Sequence, residues 1–263
     1  MEQSNKSKSK YCESGGATKK YEECDGAVKK VAPYSYHQHL SRVFINLKKQ
    51  YDVYANYYKK NIYKFLPRDK DSKIVDLGCG LGHVLYFLRK EGYSNCLGVD
   101  IASENVEICQ EKGFNTIQRD LNDYIAYSQD RVDAFILSNV LEHFDYENII
   151  RIVNSLYKLL EKGGVILIIL PNCNNIYGLA TYFSDITHKS PLTEKSLEDL
   201  ILQTSVKDYC FYNTIAYPNL FLIDFVFKIY NKFLFGIRKI NNMVHGQKPF
   251  CVQSKNLLLV IKK

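Results

Sequence analysis

Between Tyr34 and Leu66 apolar residues recur at intervals of three and four: Leu40, Phe44, Leu47, Tyr51, Tyr54, Tyr58, Ile62 and Phe65 share one side of a 3.6-residue repeat. This spacing predicts one or two amphipathic helices. Pro67 closes them, ahead of the polar stretch Arg68-Asp69-Lys70-Asp71-Ser72. From Lys73 the pattern changes to short apolar runs alternating with helical periods. Strands are predicted at 73–77, 95–99, 115–118, 132–138 and 164–170, with helices at 81–91, 103–112 and 146–161. Such alternation is the mark of successive βαβ units that build a parallel sheet with helices on both faces. After strand five come a long loop, a helix at about 193–203, and strands near 206–212 and 256–262 that would join the sheet antiparallel. The expected architecture is α/β: a doubly wound, mostly parallel, seven-stranded sheet with a helical N-terminal extension and a helical insertion before the last strand. Residues 1–66 are expected as a polar arm and an amphipathic helical extension or lid, and 67–263 as the main domain with an insertion at about 214–250.

Two segments depart from this pattern. The first 32 residues are polar and repeat Gly-Ala-x-Lys-Lys at 16–20 and 26–30, too little apolar surface to offset ordering entropy, so a mobile arm is expected. Asn219–Ile237 is the opposite: its polar residues Asp224, Lys228, Asn231 and Lys232 form one helical stripe and the rest is apolar. Those charges argue against a spanning helix. A helix buried against the domain or a second subunit, giving a homodimer, and a helix lying on a membrane surface both stay open.

Composition narrows the class. Of 263 residues, 46% are hydrophobic and 24% charged, which suits a globular protein with a substantial core. The net charge of +7 is unevenly placed: residues 1–50 carry 10 basic against 5 acidic side chains, 51–204 carry 16 against 21, and 205–263 carry 9 against 2. An acidic middle disfavours a nucleic-acid groove through the domain, whereas the basic flanks suit an anionic partner. Eight cysteines include no C-x-x-C pair, and Cys12, Cys24, His37 and His39 lack the spacing of a zinc site, so neither a disulfide framework nor a metal is expected. The N-terminus has no apolar signal segment, which points to the cytoplasm.

The strongest chemical signal is Val75-Asp76-Leu77-Gly78-Cys79-Gly80-Leu81-Gly82, at the turn from the first strand into the first helix of the sheet. Glycines at 78, 80 and 82 let the backbone turn tightly and approach a ligand at the carboxyl edge of the sheet. The second strand then ends in Gly98-Val99-Asp100, which places a carboxylate where it can accept both hydroxyls of a ribose. A dinucleotide enzyme would show G-x-G-x-x-G, with a diphosphate at the helix N-terminus. Here the order is D-x-G-x-G-x-G, and Asp76 ahead of the turn suits a cationic amino-acid ligand.

With Asp100, this motif resembles the first two motifs of the class I S-adenosylmethionine-dependent methyltransferases, whose sheet is Rossmann-like. Arg119-Asp120-Leu121 resembles their adenine-side motif, Ser138-Asn139-Val140-Leu141-Glu142-His143 their strand-four motif, and Leu159-Leu160-Glu161-Lys162-Gly163-Gly164 the turn before strand five. The resemblance implies S-adenosyl-L-methionine as cofactor and S-adenosyl-L-homocysteine as product. It places Gly78, Cys79 and Gly80 along the methionine moiety, Asp76 toward its amino group, and Asp100 on the ribose. Ile101 would cover the adenine, Asp120 would reach its amine with Leu121 alongside, and Ser138 and Asn139 would lie near the sulfonium. Cys79 stands where a small side chain is expected and reads as packing.

Methylation of a hydroxyl requires alignment of the acceptor and removal of its proton. The candidates at the strand ends are His143 and the loop residues Asp185 and His188, with Asp185 orienting His188 as base and Tyr177 and Tyr182 as walls. His83, which opens a helix, is a weaker candidate. Ser184-Asp185-Ile186-Thr187-His188-Lys189 and the following Pro191–Leu197 resemble a D-x-T-H…T…S-L stretch of methyltransferases associated with bacterial surface glycans. That similarity implies a sugar nucleotide, carrier-linked glycan or phosphate-type acceptor in polysaccharide (capsule) biosynthesis. A quinone-type or other small-metabolite O-methyltransferase, and a non-catalytic cofactor-binding subunit, are the alternatives. No N/D-P-P-Y/F motif follows strand four, which counts against DNA methylation.

Overall fold

The computed structural model describes residues 47–215, 233, 236, 237 and 251–263. The elements are α1 (Leu47–Asn61), a 3-10 turn (Tyr63–Phe65), β1 (Ile74–Leu77), α2 (His83–Lys90), β2 (Cys96–Asp100), α3 (Ser103–Glu111), β3 (Thr116–Gln118), α4 (Leu121–Tyr127) and β4 (Val132–Ser138). A second 3-10 turn (Leu141–His143), α5 (Tyr146–Leu159), β5 (Leu160–Pro171), α6 (Ile176–Phe183), α7 (Glu194–Ile201), β6 (Asp208–Asn213) and β7 (Asn256–Lys262) follow. The seven strands form one sheet in the order β3-β2-β1-β4-β5-β7-β6. Its first five strands are parallel, and β7 runs antiparallel between β5 and β6. This is the Rossmann-like fold expected from the pattern.

Alternation along the strands assigns the two faces. In β4, Phe135 and Leu137 join a cluster with Ile149, Ile152, Val153 and Leu156 of α5. Ala134 and Ile136 point the other way, into a cluster with Phe87 and Leu88 of α2, with Ala55 and Tyr58 of α1 and with Ile62 just after it. Helix α1 therefore belongs to the core. Ion pairs Lys90–Asp52 at 2.7 Å and Lys59–Glu91 at 2.9 Å pin its outer side to α2.

The pattern missed two helices. It passed over α4, which is seven residues long and begins where the Asp120 side chain accepts the Asn122 N–H at 2.8 Å. In the stretch expected as a long loop lies α6, started by Asn175, whose Oδ1 accepts from Tyr177 N at 2.8 Å and Gly178 N at 3.2 Å. Both owe their position to a cap satisfying orphan N–H groups, and neither is long enough to display a period. The structure corrects the extent of strand five as well: it starts at Leu160, which pairs with Val132 ahead of a register shift.

The polar arm, residues 34–46 and the apolar stretch 219–237, apart from Phe233, Gly236 and Ile237, lie outside the described residues. Among the described residues no helix is long and apolar enough to cross a membrane.

Candidate active site

Where β1 gives way to α2, Gly78, Gly80 and Gly82 all have positive φ, at 72°, 51° and 77°. Gly78 N and Cys79 N both donate to Val99 O, at 2.8 and 3.0 Å, folding the turn back over the end of β2. A Cβ on Gly78 would lie 2.6 Å from Val140 Cγ2, so glycine is demanded there by space as well as by conformation. Asp100 ties the turn down. Its Oδ2 accepts Gly80 N at 2.8 Å, and its Oδ1 accepts Ala102 N at 2.9 Å and Asn105 Nδ2 at 3.1 Å. A carboxylate has about four lone-pair sites, so Asp100 keeps acceptor capacity for a ligand.

Asp76 is buried, and its Oδ2 has no hydrogen-bond partner. Burial pushes its pKa well up, with the Cys109 thiol and Asp100 adding to the effect. A cationic ligand group is what such a carboxylate lacks. The neighbouring Cys109 thiol and burial push the Cys79 pKa up.

The turn opens onto a cavity of about 610 Å³. Every cofactor residue expected from the sequence borders it: Asp76, Gly78, Cys79, Gly80, Asp100, Ile101, Asp120, Leu121, Ser138 and Asn139. Ile101 is 66% exposed at its edge. Asn139 is the one non-glycine with positive φ among the described residues, at 57°, and its N–H donates to Ile169 O at 2.8 Å. The roof comes from α1, which lies in the extension expected as a lid. Tyr54 and Tyr58 of α1 line the cavity, Tyr58 Oη lies 3.1 Å from Ser138 Oγ, and Tyr51 Oη donates to Leu81 O at 2.5 Å. The helical spacing of these tyrosines was visible; that their helix covers this particular sheet edge was not.

His143, Asp185 and Thr187 complete the wall. Thr187 Oγ1 donates to Asp185 Oδ1 at 2.6 Å and lies 2.9 Å from His143 Nδ1. Burial works to raise the Asp185 pKa, but the hydrogen bonds from Thr187 outweigh it and the carboxylate stays ionised more readily than usual. The partner of Asp185 is thus Thr187 and, through it, His143. His188 does not border the cavity: its Nδ1 is 2.7 Å from Tyr182 O, its ring stacks on Tyr182, and it meets His143 edge to face at 4.7 Å. Tyr177 is 65% exposed and Tyr182 packs behind the wall, so neither lines the cavity. Sequence reading also gave no role to Thr187 or to Glu142, whose buried carboxylate lies 4.0 Å from His188 Nε2.

Residues 49–204 match the model of a family described as a methyltransferase domain. Over 130 residues the chain is 28% identical to the bifunctional methionine biosynthesis protein MetXA/MetW of Rhodopirellula baltica, covering 46% of this chain and 20% of that one. Over 113 residues it is 26% identical to the phosphoethanolamine N-methyltransferase of Plasmodium falciparum, covering 41% of this chain and 42% of that one. It thus spans less than half the length of either curated relative. A crystal structure of a SAM-dependent methyltransferase from Archaeoglobus fulgidus superposes with a TM-score of 0.57 at 21% identity, over 87% of this chain and 100% of that chain, which establishes a shared fold.

Proposed function

The chain belongs to the methyltransferase-domain family, and we propose that it is an S-adenosylmethionine-dependent enzyme that methylates an oxygen of a sugar or phosphate-type group in surface-polysaccharide biosynthesis. One observation carries this reading: a single cavity joins the Asp76–Gly80–Asp100 cradle to the polar wall of His143, Thr187 and Asp185. The residues present fit the cofactor. Asp76 Oδ2 is an orphaned buried acceptor for its ammonium group, and Asp100 at the end of β2 has acceptor capacity for ribose hydroxyls. Bound there, S-adenosylmethionine supplies a methyl group on a positively charged sulfur, open to in-line displacement.

The protein's own contribution is placement. Asp100 holds ligand and glycine turn together, because one carboxylate serves both. Asp120, held by its cap on α4, presents its remaining lone pairs to the cavity. Ser138 and Asn139 mark the point at which the cofactor half meets the acceptor half. Along the wall, Asp185 accepts the hydrogen bond from the Thr187 O–H and Thr187 Oγ1 accepts the one from the His143 Nδ1–H, so the imidazole is locked in orientation and tautomer. An acceptor hydroxyl then meets ordered polar groups rather than bulk water.

The choice of acceptor is supported by the Asp185–His188 stretch and by charge: the segment containing the cofactor residues carries 21 acidic against 16 basic side chains, and the segments on either side are basic. The test has two arms. Calorimetry should show S-adenosylmethionine binding that Asp100→Ala weakens strongly. Formation of S-adenosylhomocysteine should then be followed with nucleotide sugars and glycan phosphates, beside phosphoethanolamine and quinols. Turnover confined to an amine or a quinol would reject the glycan reading, and no cofactor binding would reject the enzyme.

A further inference from the structure

Three side chains that the proposed function leaves unused, wholly or in part, meet behind the acceptor wall. One potential ligand atom from each of Glu142, His143 and His188 lies within 4.8 Å of the other two. Glu142 is 1% exposed, and neither Oε1 nor Oε2 has a hydrogen-bond partner. A carboxylate so placed is costly unless something positive answers it.

The hydrogen bonds around the histidines say which nitrogen is available. His188 Nδ1 faces the carbonyl of Tyr182 at 2.7 Å, and a carbonyl only accepts, so Nδ1 carries the proton and Nε2 the lone pair. That Nε2 is 4.0 Å from Glu142 Oε1. The Thr187 O–H donates its hydrogen bond to Asp185, so Thr187 Oγ1 accepts from His143 Nδ1–H, which leaves Nε2 of His143 bare in the same way. Both imidazoles thus offer a lone pair beside a buried carboxyl group whose oxygens have no hydrogen-bond partner. Each imidazole, moreover, has its far nitrogen tied to an oxygen, which is how metal-binding histidines are held in tautomer and orientation.

We propose that Glu142, His143 and His188 form a divalent-metal site bordering the acceptor cavity through His143. Two imidazoles and one carboxylate favour zinc, iron(II) or cobalt over magnesium or calcium, which prefer all-oxygen shells. Ligand atoms about 2.0–2.2 Å from a shared ion stand no more than about 4.4 Å apart, so the cluster needs only a small side-chain contraction. Three protein ligands leave positions open for an exogenous oxygen. The catalytic consequence rests on the proposed function: an acceptor hydroxyl coordinated there would lose its proton to water more readily, and its oxygen would form a bond to the methyl carbon as the methyl–sulfur bond of S-adenosylmethionine breaks, the electron pair leaving on sulfur as S-adenosylhomocysteine. His143 is in that case a ligand rather than the base.

The experiment is a titration of untagged, metal-depleted full-length protein with cobalt(II), read by visible ligand-field absorption, with S-adenosylmethionine binding measured in parallel by calorimetry. One equivalent of cobalt should bind, and Glu142→Gln and His188→Ala should each weaken it by more than the roughly 10- to 100-fold typical of lost outer-shell partners. Neither variant should change cofactor affinity. Glu142→Gln preserves shape and decides the matter if His188→Ala does not fold. No stoichiometric cobalt uptake by protein that binds S-adenosylmethionine would overturn the site, and so would uptake that both variants retain. Failure of the proposed function shows separately, as absent cofactor binding with the cobalt titration intact.

Discussion

A single carboxylate, Asp100, links the glycine turn, the start of α3 and the ligand cavity. Removing it costs charge-assisted hydrogen bonds on both sides, so Asp100→Ala should weaken S-adenosylmethionine binding by about 10- to 100-fold, equivalent to about 1.5–3 kcal/mol; titration calorimetry would read it, and unchanged affinity would remove Asp100 from the site. Gly78→Ala has a different origin. With φ at 72° and Val140 Cγ2 only 2.6 Å from the new Cβ, it should lower folding stability by about 1–3 kcal/mol, visible as an earlier urea midpoint. These positions were legible in the sequence because their requirements are local: a backbone turn allows few residue types, and a ribose carboxylate follows at a set distance. Thr187 and Glu142 were not, since their meaning depends on a loop 44 or more residues away folding back onto the end of β4.

At the level of elements, α1 packs on α2 through an aromatic stack in which His83 sits 4.8 Å from the Tyr51 ring and 4.3 Å from that of Tyr54. Burial, with a smaller effect of Lys112, lowers the His83 pKa from 6.5 to about 4. The folded protein therefore holds this imidazole neutral. Its contribution is complete above pH 6.5 and is lost as pH falls toward 4, an effect of about 3 kcal/mol. His83→Gln should flatten that part of the stability profile, checked by denaturant midpoints at neutral and at mildly acid pH; an unaltered slope would assign the acid sensitivity elsewhere. The period of three and four announced α1 because a long helix repeats its apolar face. Helices α4 and α6 span only seven and eight residues and are fixed by Asp120 and Asn175, a signal that depends on where the preceding strand stops.

For the whole molecule, the chain leaves the sheet after β6 and returns before β7 at one neck. Asn213 Nδ2 donates to Cys251 O at 3.1 Å, Thr214 N donates to Ser254 Oγ at 2.9 Å, and Gln253 N donates to Asn213 Oδ1 at 2.7 Å. Since the neck closes itself, replacing 216–250 by a short turn should leave folding and cofactor affinity intact. The replaced stretch carries five basic residues against one acidic. If it attracts an anionic acceptor, its loss should raise KM and weaken the dependence of KM on salt; unchanged kinetics on a glycan phosphate would detach it from catalysis.

The position of β7 has a consequence in time as well as in space. Leu257 to Ile261 are buried between β5 and β6, so the seventh strand in chain order is an inner one. Until residue 256 is available, β5 lacks its antiparallel neighbour and β6 has no partner strand among the described residues, although both have already been made. Folding of the sheet must then await synthesis of that strand, and in the interval the nascent chain exposes a surface suited to a chaperone or to another unfinished copy.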